Sequence, residues 1–399
     1  MSSDIRKGEN MIETKLKKTG EICFWIALVI ELLIVIIDKS AYINPYEGWL
    51  FRITFVLFGL KVATTKYTLK EWICMIVFGI IAAISYFVNE KDEVVRVVVF
   101  IAACKDLPLK NILKTTLFIT AAGSLVLLLL SVTGIFGALT MTANFGRGPS
   151  PGIIETRYCF GMGHPNAFQT MMFMMTVLSM YIYEKKMKWY HFVLLFGINF
   201  LAYLYTDSNT SLLVTVAAIV GVAVMKYWKW LQKSSFAYWV GMFLVTGIVI
   251  FSAAGSHYGR ETQFMHELDY LLNGRFQTAH AIEASRIENW KLFAVPENTE
   301  FFDAGFIKVF YWYGIIPGCL YVFANLYLVY QSYKKQDYAL LVMVVAFTVF
   351  TIMEAHLISW YILRNYLFVV LGYYWYQPFA EMQETEANFW QVKKLLEKA

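Results

Sequence analysis

Apolar runs, most of them about as long as a lipid bilayer is thick, recur through almost the whole chain, and the run at 93–105 is the weakest because it is short and contains Arg96. A helix needs roughly 20 apolar residues to cross the hydrocarbon core. Because a backbone surrounded by lipid must satisfy its own hydrogen bonds, these runs predict transmembrane helices. Twelve candidate spans lie at about 22–37, 47–64, 71–88, 93–105, 115–136, 166–183, 189–206, 211–227, 236–253, 305–330, 339–356 and 358–377.

The composition agrees with an integral membrane protein. Of the 399 residues, 58% are hydrophobic and 16% are charged, whereas a soluble domain usually carries about 25% charged residues. The predicted fold class is therefore all-α, with a single transmembrane domain over 1–377 and a charged tail over 378–399. The five cysteines form no CxxC pair, and no nucleic-acid-binding motif accompanies the net charge of +5. We predict neither a zinc site nor a nucleic-acid partner.

Lysine placement predicts the orientation. Lys15, Lys17 and Lys18 precede the first span, and the positive-inside rule then puts the N-terminus in the cytoplasm. Alternation across the twelve predicted spans places further lysines in inner connections and both termini inside. Two long segments, about 137–165 and 254–304, are then external.

Arginines follow a different pattern. Only Arg6 lies in a predicted cytoplasmic segment, and the others lie in external loops or near outward-facing span ends. The planar guanidinium suits phosphate and carboxylate groups, so the pattern indicates an anionic ligand outside. The alternative is pairing with external glutamates such as Glu155, Glu261 and Glu283.

Residues 157–166 form the first candidate site. Pro165 fits the first turn of a helix, whose N-terminus would carry partial positive charge outward. Arg157 and Asn166 are candidate ligands for an anion, and His164 is a candidate general base. The alternative is an ordinary helix start, with glycines that allow a tight loop.

A polar segment from Asn273 to about Phe293 forms the second candidate site. Asn273 is expected to cap a helix on which Arg275 and Arg286 share one face, about 16 Å apart. Two anionic groups, one from a donor and one from an acceptor, would suit this spacing. The alternative is an interfacial amphipathic helix in which Glu283 and Arg286 pair.

Further candidates lie in the external loop and at span ends. His280 and Glu283 are, with His164, possible general bases, and no spacing among the loop histidines indicates a metal. Asp303 begins the tenth span as an orienting carboxylate or a helix cap. Charged or titratable groups inside membrane spans tend to be functional, and three lie near outer ends: Glu354, His356 and Arg364.

The span start Gly161-x-Gly163-His164-Pro165-Asn166 resembles the Wzy-type polysaccharide polymerases, which are related to O-antigen ligases. The likeness covers roughly Arg157 to Arg364. It is supported by residues 206–210, 273–275 and 283–286, and by Asp303 followed by 311–316.

The resemblance implies a GT-C-like membrane glycosyltransferase in the bacterial cytoplasmic membrane. It would transfer a growing glycan from undecaprenyl pyrophosphate to the next lipid-linked repeat unit during capsule or exopolysaccharide synthesis. It would be inverting and metal-independent, without a cofactor. Arg157 and His164 match the family's first external motif, and Arg275 and Arg286 match the second. The Arg-x10-Gly spacing of some polymerases is absent, because Phe168 and Glu297 stand where the glycines would be.

The implied partners are a lipid-linked donor and acceptor and membrane lipids, with a chain-length regulator and a flippase of the same pathway. Two other functions stay open. A flippase or transporter of lipid-linked oligosaccharide would need charges along a path through the membrane, whereas here they concentrate outside. An O-antigen-ligase-like transferase would attach a finished glycan to another acceptor.

Overall fold

The structure, a computed structural model, describes residues 2–145 and 154–381, and it is mostly helical. The first half of the chain consists of α1 (Ser2–Lys39), α2 (Glu47–Ala63), α3 (Leu69–Asn89), α4 (Glu93–Ala103), α5 (Leu109–Val132), α6 (Pro165–Tyr183) and α7 (Trp189–Thr206). The second half consists of α8 (Asn209–Tyr227), α9 (Lys229–Lys233), α10 (Ser235–Tyr258), α11 (Gln263–Leu271), α12 (Arg275–His280), α13 (Gly305–Tyr313), α14 (Ile315–Lys335), α15 (Tyr338–Met353) and α16 (Leu367–Tyr374).

Six of the described helices are long and apolar enough to cross a membrane: α1 over Met11–Lys39, α3, α5, α8, α10 and α14. They agree with the predicted helical membrane protein. The short α4 has 11 residues, which reach only about 16 Å at a rise of 1.5 Å per residue. Most of the tail predicted at 378–399 lies outside the described residues.

The mostly helical structure agrees with the predicted all-α class, and the first long loop adds one short two-stranded ribbon. There, β1 (Thr140–Asn144) pairs antiparallel with β2 (Ile154–Tyr158), and Thr142 faces Thr156 with 2.8 Å between their hydroxyl oxygens. Cross-strand threonine pairs of this kind stabilise a two-stranded ribbon. Arg147 and the rest of 146–153, between the strands, lie outside the described residues.

The predicted tenth span is divided into two helices. Gly314 separates α13 from α14 with φ +97°, a conformation that favours glycine. A Cβ at this position would lie 2.5 Å from the Cα of Phe293. The close passage of the loop backbone therefore requires glycine and breaks the helix.

The predicted twelfth span, 358–377, is not one continuous helix. After Glu354 the chain forms two 3₁₀ turns, Ala355–Leu357 and Ile362–Arg364, before α16 begins. Irregular backbone at membrane depth is tolerated where protein surrounds it and supplies partners. Arg96 of α4 donates to the Trp360 carbonyl at 2.6 Å. We call residues 354–366 the broken segment.

Helix α15 is central to the bundle and packs against α6, α8, α10 and α14. Its core contacts include Phe350, which stacks on Phe173 of α6 with ring centroids 4.6 Å apart. This packing brings the end of α15 beside the start of α6. The end of α1 and the start of α13 meet there too, so one end of the bundle gathers polar side chains from distant parts of the chain.

Candidate functional site

The start of α6 positions His164 and Asn166. His164 is the N-cap, and its Nδ1 accepts the backbone N–H of Asn166 at 3.1 Å. Pro165 occupies the first turn, so the predicted helix start is confirmed. Since Nδ1 is an acceptor, the proton of the neutral imidazole lies on Nε2, which is then a donor.

The environment of His164 keeps this imidazole neutral. Burial lowers its pKa, and the charges of Arg157 and Lys39 act in the same direction, whereas Asp303 opposes them. A neutral histidine with its proton on Nε2 can donate a hydrogen bond to an anion. This geometry favours a donor role for His164 over the predicted role of general base.

His164 lines a polar cavity of about 330 Å³, which we call the basic pocket. Three cationic side chains also line it: Lys39 at the end of α1, Lys308 of α13 and Arg364 of the broken segment. Asp38 forms an ion pair with Arg364 and lies 3.6 Å from the Lys39 ammonium. One carboxylate therefore faces three basic side chains in the lining of the pocket.

Lys308 is the most informative of these cations. The residue is 1% exposed, and its ammonium lies 3.9 Å from the ring centre of Phe301 and 3.8 Å from that of Trp312. Among the described residues, no carboxylate forms an ion pair with it. Aromatic rings supply about 2 kcal/mol to a desolvated cation, whereas burial of an ion costs several kcal/mol. An anionic ligand would balance this charge.

Glu354 lies beside the basic pocket, immediately after α15. Its Oε1 accepts from Arg275 Nη2 at 2.9 Å and from Asn166 Nδ2 at 3.1 Å. The residue is only 8% exposed. A buried carboxylate at this position, beside the basic pocket, is placed to accept a proton from a substrate hydroxyl.

Several predicted site residues are thus brought together at one end of the bundle. His164 and Arg364 line the basic pocket, and Asn166 and Arg275 bind Glu354. Asp303 is half-buried nearby. It does not cap α13, because the N-cap is Ala304.

Arg157, predicted to bind pyrophosphate, lies behind the pocket. Its guanidinium forms ion pairs with Glu155 and, at 3.6 Å, with Asp207. It also lies 4.2 Å from the ring centre of Phe145, which packs edge-on against His164. These contacts give Arg157 a supporting position next to the site.

The predicted helix from Asn273 to Phe293 is wrong in its extent. Its N-cap is Gly274, and α12 ends at His280. Two 3₁₀ turns follow, Glu283–Ser285 and Ile287–Asn289, so Arg275 and Arg286 do not share a helix face. Asp269 Oδ1 accepts the N–H of Phe276 at 2.7 Å and so caps the start of α12.

His280, Glu283 and Arg286 form a separate group where α12 meets α10. His280 Nδ1 lies 3.0 Å from the Ser256 carbonyl, and Arg286 Nε donates to the His280 carbonyl at 2.9 Å. Glu283 is exposed. In the described structure, these three residues do not line the basic pocket.

Sequence reasoning missed Lys39 and Lys308, and it noted Glu354 without including it in the site. Lys308 carried a usable signal, because a lysine inside an apolar run is by default a candidate functional residue. Comparison of the chain with models of protein families, with curated proteins and with solved structures finds no match.

Proposed function

We propose that the chain is an inverting, metal-independent membrane glycosyltransferase that polymerises oligosaccharide repeat units linked to undecaprenyl pyrophosphate. It would act at the outer face of the bacterial cytoplasmic membrane. The observation that carries this proposal is the buried Lys308 side chain, which lines the basic pocket near the buried carboxyl of Glu354. Such a pocket suits a pyrophosphate leaving group, and the adjacent carboxyl suits activation of a hydroxyl.

The topology proposed with this function has twelve crossings and both termini in the cytoplasm. In that topology the end of α1, the start of α6 and the end of α15 are all external. The described packing supports it, because these three ends lie together. The proposed crossing at 305–330 would include the break at Gly314, and those at 339–356 and 358–377 would include the broken segment.

The chemistry follows from the charges. The acceptor hydroxyl attacks the anomeric carbon of the donor sugar, and Glu354 takes the hydroxyl proton as the new C–O bond forms. The bond from the anomeric carbon to the pyrophosphate oxygen breaks in the same displacement, which inverts the anomeric configuration. Lys308, Arg364 and the Nε2–H of His164 stabilise the charge that develops on the pyrophosphate.

A single-turnover assay tests this proposal. Purified protein, a lipid-linked donor with labelled glycan and an acceptor unit are mixed in the presence of EDTA. We expect transfer with inversion, and a loss of roughly 100-fold or more in rate for Glu354→Gln, as is typical when a general base is removed.

The matched control is Glu267→Gln, which changes an exposed carboxyl of α11 and should transfer at the wild-type rate. If Glu354→Gln transfers glycan at the wild-type rate, Glu354 is not the general base. Absence of transfer by folded wild type would overturn the enzyme proposal.

A further inference from the structure

A second cavity, of about 320 Å³, adjoins the basic pocket and has an almost wholly apolar lining. We call it the apolar groove. It lies between α4, α14 and α16, and is represented by Val97, Ile101, Leu320, Ala324, Phe368 and Leu371. Phe323 also lines it and is 63% exposed, so the groove is open on the outer surface of the bundle.

Helix α13 separates the two cavities. Lys308 and Trp312, four residues apart, line the basic pocket, and Val309 and Tyr313 line the apolar groove. Residues at this spacing lie above one another on a helix, so adjacent faces of α13 serve the two cavities. Ser359 of the broken segment lines both. The cavities are therefore neighbours that share one wall.

The groove changes in polarity along its length. It follows α14 from Pro317 to Tyr327, which is about 15 Å at 1.5 Å per residue and about half of the ~30 Å hydrocarbon core. The carboxyl of Glu93, at the start of α4, lines one end of the groove. It lies one turn before Arg96, which donates to the Trp360 carbonyl in the broken segment. The far end, where α4 finishes, is lined by Ala102.

We propose that the apolar groove binds the isoprenoid tail of the lipid-linked donor while its pyrophosphate occupies the basic pocket. This inference rests on the proposed function, which supplies a ligand with an anionic head and a long apolar tail. A sugar nucleotide or free phosphate would fill the basic pocket and leave the groove empty. The shared wall at Ser359 and the lateral opening at Phe323 give the tail a path from the lipid.

The test compares two donors with the same glycan pyrophosphate, one on a long polyprenyl chain and one on a two-isoprene chain. We expect wild type to prefer the long chain by roughly 10-fold or more in kcat/KM, since burial of apolar area drives the preference. Ala324→Trp should fill the groove. It should reduce long-chain kcat/KM to the short-chain value and leave short-chain kcat/KM unchanged.

The matched control is Ala217→Trp, which fills a different apolar cavity of about 300 Å³ between α8, α10 and α15. It should keep the wild-type chain preference. If Ala324→Trp keeps the preference too, the tail does not occupy this groove and the inference is overturned.

An assay independent of activity separates this inference from the proposed function. A photoreactive long-chain prenyl pyrophosphate without glycan should crosslink to α4 or α14 of the full chain, and excess phospholipid should not prevent it. Crosslinks elsewhere, or full competition by phospholipid, would overturn the tail site. A failure of transfer with both donors, alongside the expected crosslinks, would overturn the proposed function while the tail site stands.

Discussion

Replacing Lys308 by methionine removes the buried ammonium and keeps a side chain of similar length. At about 4 Å and an effective dielectric constant near 20, an ammonium and a unit negative charge attract by about 4 kcal/mol. Desolvation offsets part of this, and about 3 kcal/mol corresponds to roughly 100-fold in kcat/KM. We therefore expect Lys308→Met to lose about 100-fold in transfer.

The same substitution should not destabilise the protein. Lys308 contacts two aromatic rings and no carboxylate among the described ion pairs, and apolar replacements of buried charged groups are often neutral or stabilising. Thermal unfolding of the ligand-free protein should therefore occur at the wild-type temperature or above. A loss of activity together with retained stability would show that Lys308 serves ligand binding and not folding.

Lys61 provides the matched control. It is also 1% exposed, but its ammonium donates to Thr65 Oγ1 at 2.6 Å and to the Lys105 carbonyl at 3.2 Å. Lys61→Met should lower the unfolding temperature, and the folded fraction should keep wild-type kcat/KM. The reasoning is refuted if Lys308→Met transfers glycan at the wild-type rate, or if it unfolds earlier as Lys61→Met does.

Three further outcomes are expected. His164→Asn keeps an N-capping side chain and should lose roughly 100-fold in activity. His164→Ala should in addition lose about 1 kcal/mol of unfolding free energy, because it removes the cap. Equal activities of His164→Asn and wild type would argue against the Nε2–H donor. Arg157→Gln should lower unfolding free energy by about 2 kcal/mol through its lost charged hydrogen bonds, with less than a tenfold change in the KM for donor. Arg96→Met leaves the Trp360 carbonyl without its donor, so amide exchange in the broken segment should accelerate; unchanged exchange there would contradict that tether.

The helices were predictable where the signal is local. The apolar runs predict α2, α3, α7 and α8 within a few residues, and Pro165 marks the start of α6. The break at Gly314 was not predictable in this way, because it lies in a run that is as apolar as an unbroken span. Residues 354–366 are more polar and include Glu354 and Arg364, but no local pattern there predicted 3₁₀ turns. Tertiary contacts accompany both breaks: the loop backbone at Phe293 and the guanidinium of Arg96.

The sequence predicted some residues of the candidate site and missed others. Arginine and histidine in external segments indicated an anion site, and His164 and Arg364 do line the basic pocket. The ion pair between Arg275 and Glu354 joins residues 79 positions apart, which no local pattern encodes. The ion pair of Arg157 with Asp207 is likewise non-local, because Asp207 lies on a different element.

The most direct test of the central claim is reconstitution of the purified chain in liposomes with lipid-linked repeat units as the only substrate. The proposal predicts a ladder of glycans of increasing length on a gel. Lys308→Met and Glu354→Gln should each form this ladder roughly 100-fold more slowly although they fold. Movement of intact lipid-linked units between leaflets without any ladder would contradict the proposal and identify a flippase instead.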